Sequence, residues 1–360
     1  MLPVRDLLLT LVVVLTWGVS FTVIKLVLND VPPMLMGALR FLLSAFPAIF
    51  LVPRPRIMLR WWWAYGMTVG VGQLALLFVA IRLGMPAGAA SVILQSQSFF
   101  TLIFAALLLG ERWHWPQFAG LTVAAVGIAM LAGAAETATS TITLRTFALT
   151  LGAAAFWGLS NVIVRLAADS MPPGEHLDPL AFLVWTSLIP PLPFTALSLW
   201  FDGPHAIAYA LGHFSWGSLA GVAYLAFGGT LLGSGIFTAL LTRHPSGRVA
   251  PFTLLVPLVG LATASLVLGE RLVLVQWVGC SLVLFGLVVN MFGASERSYW
   301  LEPKGCQSSP IALPSCNLDK GNGSANIGVF TVLAVNDRLS NLTISALGTK
   351  PSSSPPESGH

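Results

Sequence analysis

Arg40 sits seven residues into the apolar run 34–52, inside Leu39-Arg40-Phe41-Leu42-Leu43. A cation at the centre of a membrane helix costs about 2.5–3.5 kcal/mol or more, and less where it reaches an interface. It has two readings: a partner for the carboxylate of a bound solute or for a gate, or a structural arginine satisfied by carbonyls or snorkelling outward. In the run 87–109, Ser91, Gln95 and Ser98 stand at i, i+4 and i+7, one face of a uniform helix, with Gln97 and Thr101 elsewhere on it. Amides offer donor and acceptor together, which suits a zwitterion. The same groups also bond helix to helix in membranes. Trp17, Ser20, Trp157, Ser160 and Asn161 fall in two further runs, with Gln73 in another. The Trp-Gly steps either line a cavity or pack as knob and notch. Tyr65 and Tyr224 share either a cavity role or a structural one.

Catalytic chemistry has little to stand on. His114, His176, His205, His213 and His244 all fall between apolar runs, and Glu111 and Glu270 close runs as boundary and packing residues. No Asp, Glu or His lies well inside a run, and no metal or nucleophile motif accompanies them. No catalytic residue, metal ligand or cofactor is assigned. The residues present can bind a small molecule, and a membrane-embedded enzyme is the weaker reading.

The elements that position these residues come from composition. Of 360 residues, 56% are hydrophobic, and only 9% are charged, against about 25% in soluble domains. Mean hydropathy is +0.82. Such a chain has lipid as its main solvent: the fold class expected is an all-α polytopic membrane protein. The rule of about 20 apolar residues per crossing gives ten spans: 7–28, 34–52, 61–81, 87–109, 116–133, 146–167, 179–201, 215–240, 249–268 and 274–293. The net charge of +4 comes from scattered basic residues, without the stripe that nucleic acid requires. With the N-terminus inside, cytoplasmic segments carry nine Lys or Arg and outer loops three, so both termini are placed in the cytoplasm. Residues 295–360, rich in Ser, Pro, Gly and Asn, read as a disordered cytoplasmic tail, where the Asn341 sequon is chance. The three cysteines are too scattered for a disulfide framework.

The chain repeats itself. Trp17-Gly18-Val19-Ser20 returns 140 positions later as Trp157-Gly158-Leu159-Ser160. An offset of 159 takes Ala64-Tyr65 and Gly70 onto Ala223-Tyr224 and Gly229, and 107–131 onto 266–290 with eight identities. These include Leu109-Gly110-Glu111-Arg112 against Leu268-Gly269-Glu270-Arg271, Gly120 against Gly279, and Gly127 against Gly286. Residues 1–133 and 146–294 form two five-helix units joined by a loop at 134–145. Five is odd, so the second unit enters the membrane from the opposite side, giving inverted repeats. Such repeats allow alternating access, because one fold opens to either side as its halves exchange conformations.

Trp-Gly in the first helix of each unit and Leu-Gly-Glu-Arg closing the fourth resemble the drug/metabolite transporter superfamily, in its EamA-type branch with two EamA repeats. The likeness covers roughly 7–293. Within the branch, Gly84-Met85-Pro86-Ala87-Gly88, 92–101 and Arg248-Val249-Ala250-Pro251 are similar to bacterial cysteine and O-acetylserine exporters. The resemblance implies an inner-membrane exporter of small amino-acid metabolites. Arg40 would hold a carboxylate, with Gln95, Ser91 and Asn161 as hydrogen-bonding groups and Trp17, Trp157, Tyr65 and Tyr224 around the cargo. Partners are thus a small-molecule substrate and the lipid bilayer; nothing sets an oligomeric state. A carrier of the same fold for aromatic amino acids, drugs or nucleobases is the rival.

Overall fold

The computed structural model describes residues 3–46, 48–110, 115–134, 142–171, 177–244 and 249–298. Glu111, Arg112, most of the 134–145 loop and the tail beyond 298 lie outside the described residues. Among the described residues every regular element is helical. In chain order these are α1 (Val4–Asp30), α2 (Pro33–Ala45) and α3, which runs as Leu59–Tyr65, a π-helical stretch Gly66–Gln73, then Leu74–Arg82. Next, α4 runs as Ala87–Ile93, a 3-10 turn Leu94–Ser96, then Gln97–Leu109, followed by α5 (Trp115–Ala134) and α6 (Leu144–Asp169). Three short helices, α7 (Pro179–Thr186), α8 (Pro191–Leu197) and α9 (Gly203–Gly212), come before α10. That helix is Trp216–Ala223, a π-helical stretch Tyr224–Leu232, then Gly233–Arg243. Last are α11 (Val256–Leu268), entered through the 3-10 turn Ala250–Leu255, and α12 (Leu274–Ser298).

Among the described residues seven helical segments are long and apolar enough to cross a bilayer, and three shorter apolar stretches, Gln117–Leu131, Phe252–Leu268 and Leu274–Val289, lie in α5, in α11 with its entry turn, and in α12. Their ends follow local chemistry. Proline opens α2, α7 and α8, where its missing N–H costs nothing. Gly110 (φ 69°) and Gly269 (φ 67°) close α4 and α11 in the left-handed conformation that glycine adopts without strain. These are the glycines of the two Leu-Gly-Glu-Arg motifs. Glu270 accepts from the backbone N–H of Ala87 (2.8 Å) and Gly88 (3.1 Å), so the second motif caps the start of α4.

Close helix crossings recur at matching places. A Cβ on Gly18 of α1 would lie 2.5 Å from Val259 and 2.9 Å from the Val256 carbonyl of α11. One on Gly158 of α6 would lie 2.6 Å from Phe100 and 2.9 Å from the Gln97 carbonyl of α4. The 140 and 159 offsets carry one contact onto the other. The glycine of each Trp-Gly step is therefore a notch for a neighbouring helix. Helices α5 and α12 pack mainly on each other. A Cβ on Gly127 would lie 2.7 Å from the Gly279 carbonyl, and one on Gly286 would lie 2.6 Å from that of Gly120. Low number meets high, so the two run antiparallel, and exchanging the halves reproduces the same contact.

Candidate functional site

Two polar clusters lie near the middle of the helices. The first is built on the π stretch of α10. A π turn closes i to i+5 bonds and displaces the backbone from the ladder of its neighbours, a geometry frequent at functional sites. Here Thr230 Oγ1 donates back to the Leu225 carbonyl (3.0 Å). The same hydroxyl accepts from Arg40 through Nη2 (3.1 Å) and Nε (3.4 Å). Trp17 Nε1 donates to the Gly229 carbonyl (3.0 Å), and the Tyr224 hydroxyl donates to the Thr16 carbonyl (2.9 Å). Ser44 Oγ reaches the Arg40 carbonyl (2.9 Å) and, at 3.4 Å, that of Ala226. Helices α1 and α2 thus both hold the stretch. Arg40 is half-buried, and among the described residues no carboxylate pairs with it.

The second cluster joins α4 to α6. Asn161 Nδ2 donates to Gln97 Oε1 (2.7 Å) and Thr101 Oγ1 (3.0 Å), while Gln97 Nε2 donates to Ser98 Oγ (3.2 Å). The matching seam between α1 and α11 is less polar at these positions: Phe21, Val256, Pro257 and Gly260 stand where Asn161, Gln97, Ser98 and Thr101 stand here.

Of the expected site residues, the structure gathers Trp17, Arg40 and Tyr224 around the π stretch of α10 and places Asn161 against α4. Ser91 is buried, donates to the Gly88 carbonyl (2.6 Å) and fills the space beside Gly260, which makes it part of a tight α4–α11 contact. Tyr65 packs at 4.8 Å on Phe182 in a separate apolar cluster with Trp61 and Val164, away from Tyr224. Gln95 is half-buried, with no side-chain hydrogen bond among the described residues. Trp157 is half-buried beside the core. The single face expected for Ser91, Gln95 and Ser98 is broken by the 3-10 turn Leu94–Ser96. Each 3-10 residue advances about 120° instead of 100°, so three of them rotate the rest of the helix by about 60°.

Sequence reasoning misses Thr230, which has no distinguishing neighbour in the chain, and it favours Gln95 over Gln97 although Gln97 is the partner of Asn161. Among the described residues two buried side-chain acceptors, Gln73 Oε1 and Ser96 Oγ, have no hydrogen-bond partner. Gln73 ends the π stretch of α3, the counterpart of the one in α10 under the 159 offset. Among the described residues no group of His, Cys, Asp or Glu is arranged to hold a metal.

Known proteins give this arrangement a context. A probable amino-acid metabolite efflux pump of Salmonella typhimurium is 43% identical over 293 residues, 81% of this chain and 97% of its own length. A protein of the same description from Escherichia coli is 41% identical over 294 residues, with the same coverage. An uncharacterized transporter of Bacillus subtilis is 25% identical over 82% of this chain and 94% of its own length. A solved protein structure, 18% identical, matches with a TM-score of 0.53 over 81% of this chain and 99% of its own, a likeness of fold alone. The pattern of the EamA-like transporter family matches twice, over residues 5–133 and 144–292. The two matches span the membrane-embedded helices and both polar clusters, and the chain belongs to the EamA-like transporter family.

Proposed function

We propose that the chain exports small amino-acid metabolites of the cysteine and O-acetylserine type across the inner membrane, by alternating access between two inverted five-helix halves. In this reading the three shorter apolar helices complete ten spans, and both termini are cytoplasmic. The antiparallel α5–α12 contact and the matched notches at Gly18 and Gly158 support the inverted arrangement. Relatives described as amino-acid metabolite efflux pumps support the cargo class.

The observation that carries the reading is Arg40. Its guanidinium lies in mid-span and meets one hydroxyl, Thr230, and among the described residues no carboxylate neutralises it. A cargo carboxylate supplies the missing charge, and a charge-assisted hydrogen bond contributes about 1.5–3 kcal/mol. Gln95, with Trp17 and Trp157, forms the surrounding wall; Asn161 contributes when its bonds to Gln97 and Thr101 exchange. Ser91, Tyr65 and Tyr224 act as supports.

The test is export from cells loaded with cysteine or O-acetylserine, comparing the intact chain, Arg40→Ala and an empty vector at equal membrane expression. Export by the intact chain that falls to vector level in Arg40→Ala is expected. Export that survives the substitution removes Arg40 from the site. No export above vector by folded protein refutes the cargo class.

A further inference from the structure

A zwitterionic cargo has two charged ends, and Arg40 answers only one. The other, an ammonium, meets no carboxylate in mid-membrane, because every Asp and Glu near the ten apolar runs lies at or beyond a run's end. Only neutral acceptors are available to it. Among the buried side chains of the described residues, one amide oxygen stands without a donor: Gln73 Oε1, in a residue 6% exposed. Burying a carbonyl without a partner costs about 1–3 kcal/mol, so a native position that keeps one calls for an occupant.

The π stretch that ends at Gln73 approaches α2 one residue along from Arg40. Along the π stretch of α3, Gly66 and Gly70 press on Ile189 and Pro190, and a Cβ on Gly70 would also lie 3.6 Å from the ring of Phe41, the residue after Arg40. A Cβ on Gly72 would lie 2.6 Å from the ring of Phe156 on α6. Gln73 follows the α6-facing residue directly and comes about three-quarters of a turn after Gly70, which faces Pro190 with Phe41 behind it, so its side chain leaves the helix between those two flanks. At 6% exposure that direction is the bundle interior. The two π stretches then divide the work. Thr230 on α10 orients the guanidinium, while the matching position to Gln73 on α10 is Leu232, apolar and 51% exposed. The repeat has become chemically unequal where the cargo needs two different ends recognised.

We infer that Gln73 is a cargo-binding residue whose amide oxygen accepts hydrogen bonds from the cargo's α-ammonium, which selects α-amino acids over the corresponding carboxylic acids. This rests on the export reading, in which Arg40 takes the carboxylate. A neutral acceptor suits a carrier: it orients the ammonium without the strong attraction of a carboxylate, and the cargo can leave.

The experiment measures binding of O-acetylserine and of its des-amino analogue, 3-acetoxypropionate, to the purified full chain in lipid nanodiscs. Three proteins are compared: the native chain, Gln73→Leu, which places there the residue the second half carries, and Gln73→Glu. Gln73→Leu is expected to bind O-acetylserine at least tenfold more weakly while matching the native chain on the analogue. Gln73→Glu, which keeps an acceptor, retains O-acetylserine within threefold. Equal losses on both probes, or none on O-acetylserine, overturn the inference while leaving the export reading intact. A native chain that holds neither probe overturns both.

Discussion

An arginine guanidinium carries five N–H donors, and the Thr230 hydroxyl takes bonds from two of its nitrogens. The rest of its need is electrostatic, and in the proposed reading a cargo carboxylate meets it. Asn161 is a different case, because its two bonds are already made within the protein. Interhelical bonds of this kind average about 0.6 kcal/mol and reach about 1.7. Asn161→Ala is therefore expected to cost about 1–2 kcal/mol, read as a lower Tm in detergent. Because Gln97 Oε1 loses its donor at the same time, the double variant with Gln97→Ala should cost clearly less than the sum of the two single changes. Additive losses would show that the pair does not act as a unit. Residue type alone points to Arg40 and Asn161, since a cation or an amide in an apolar run is conspicuous. Their partners are not legible in the chain, because Thr230 and Gln97 become neighbours only once α2 meets α10 and α4 meets α6.

Among the elements, α3 and α10 share an irregularity that no residue pattern announces. Their π stretches, Gly66–Gln73 and Tyr224–Leu232, coincide under the 159 offset. Both are glycine-containing apolar segments that read as ordinary helix, so periodicity at 3.6 residues cannot separate them. The 3-10 turns of α4 and the entry to α11 are hidden for the same reason. Glycine placement, by contrast, is informative: Gly18, Gly158, Gly120, Gly127, Gly279 and Gly286 are all repeat-related in sequence, and all sit where helices touch. At the α5–α12 crossing a Cβ on Gly127 comes within 2.7 Å of a backbone oxygen, which no rotamer change relieves. Gly127→Leu must push the helices apart and is expected to lower stability by about 1–3 kcal/mol or more. Gly127→Ala should cost less, with melting temperatures and folded yield as the measurements. A variant that melts with the native chain would mean that the crossing adjusts without strain.

Over the whole molecule, the halves interleave instead of standing side by side: α1 packs on α10 and α11, and α6 on α3 and α4. At the end of the bundle that holds the N-terminus, Asp6 of α1 meets His244, just past α10, at 2.6 Å, and Asp6 has interactions beyond this one. Below them, Val13, Phe237, Leu240 and Val249 fill the seam. In the proposed reading, opening toward that side parts α1 from α10 here. Cysteines placed at 6 and 244 in a background without the three native cysteines, and bridged by a reducible bifunctional thiol reagent, should stop export, and reductant should restore it. Undiminished export by the bridged protein would place the moving seam elsewhere. The interleaving also sets an order of assembly. Helix α5 ends at Ala134, and its main partner α12 begins at Leu274, 140 residues later. At about 5–20 residues per second, the ribosome leaves α5 in the bilayer for about 7–28 s before that partner can emerge. During that interval its glycine-lined backbone faces lipid or a chaperoning insertase in place of its main partner.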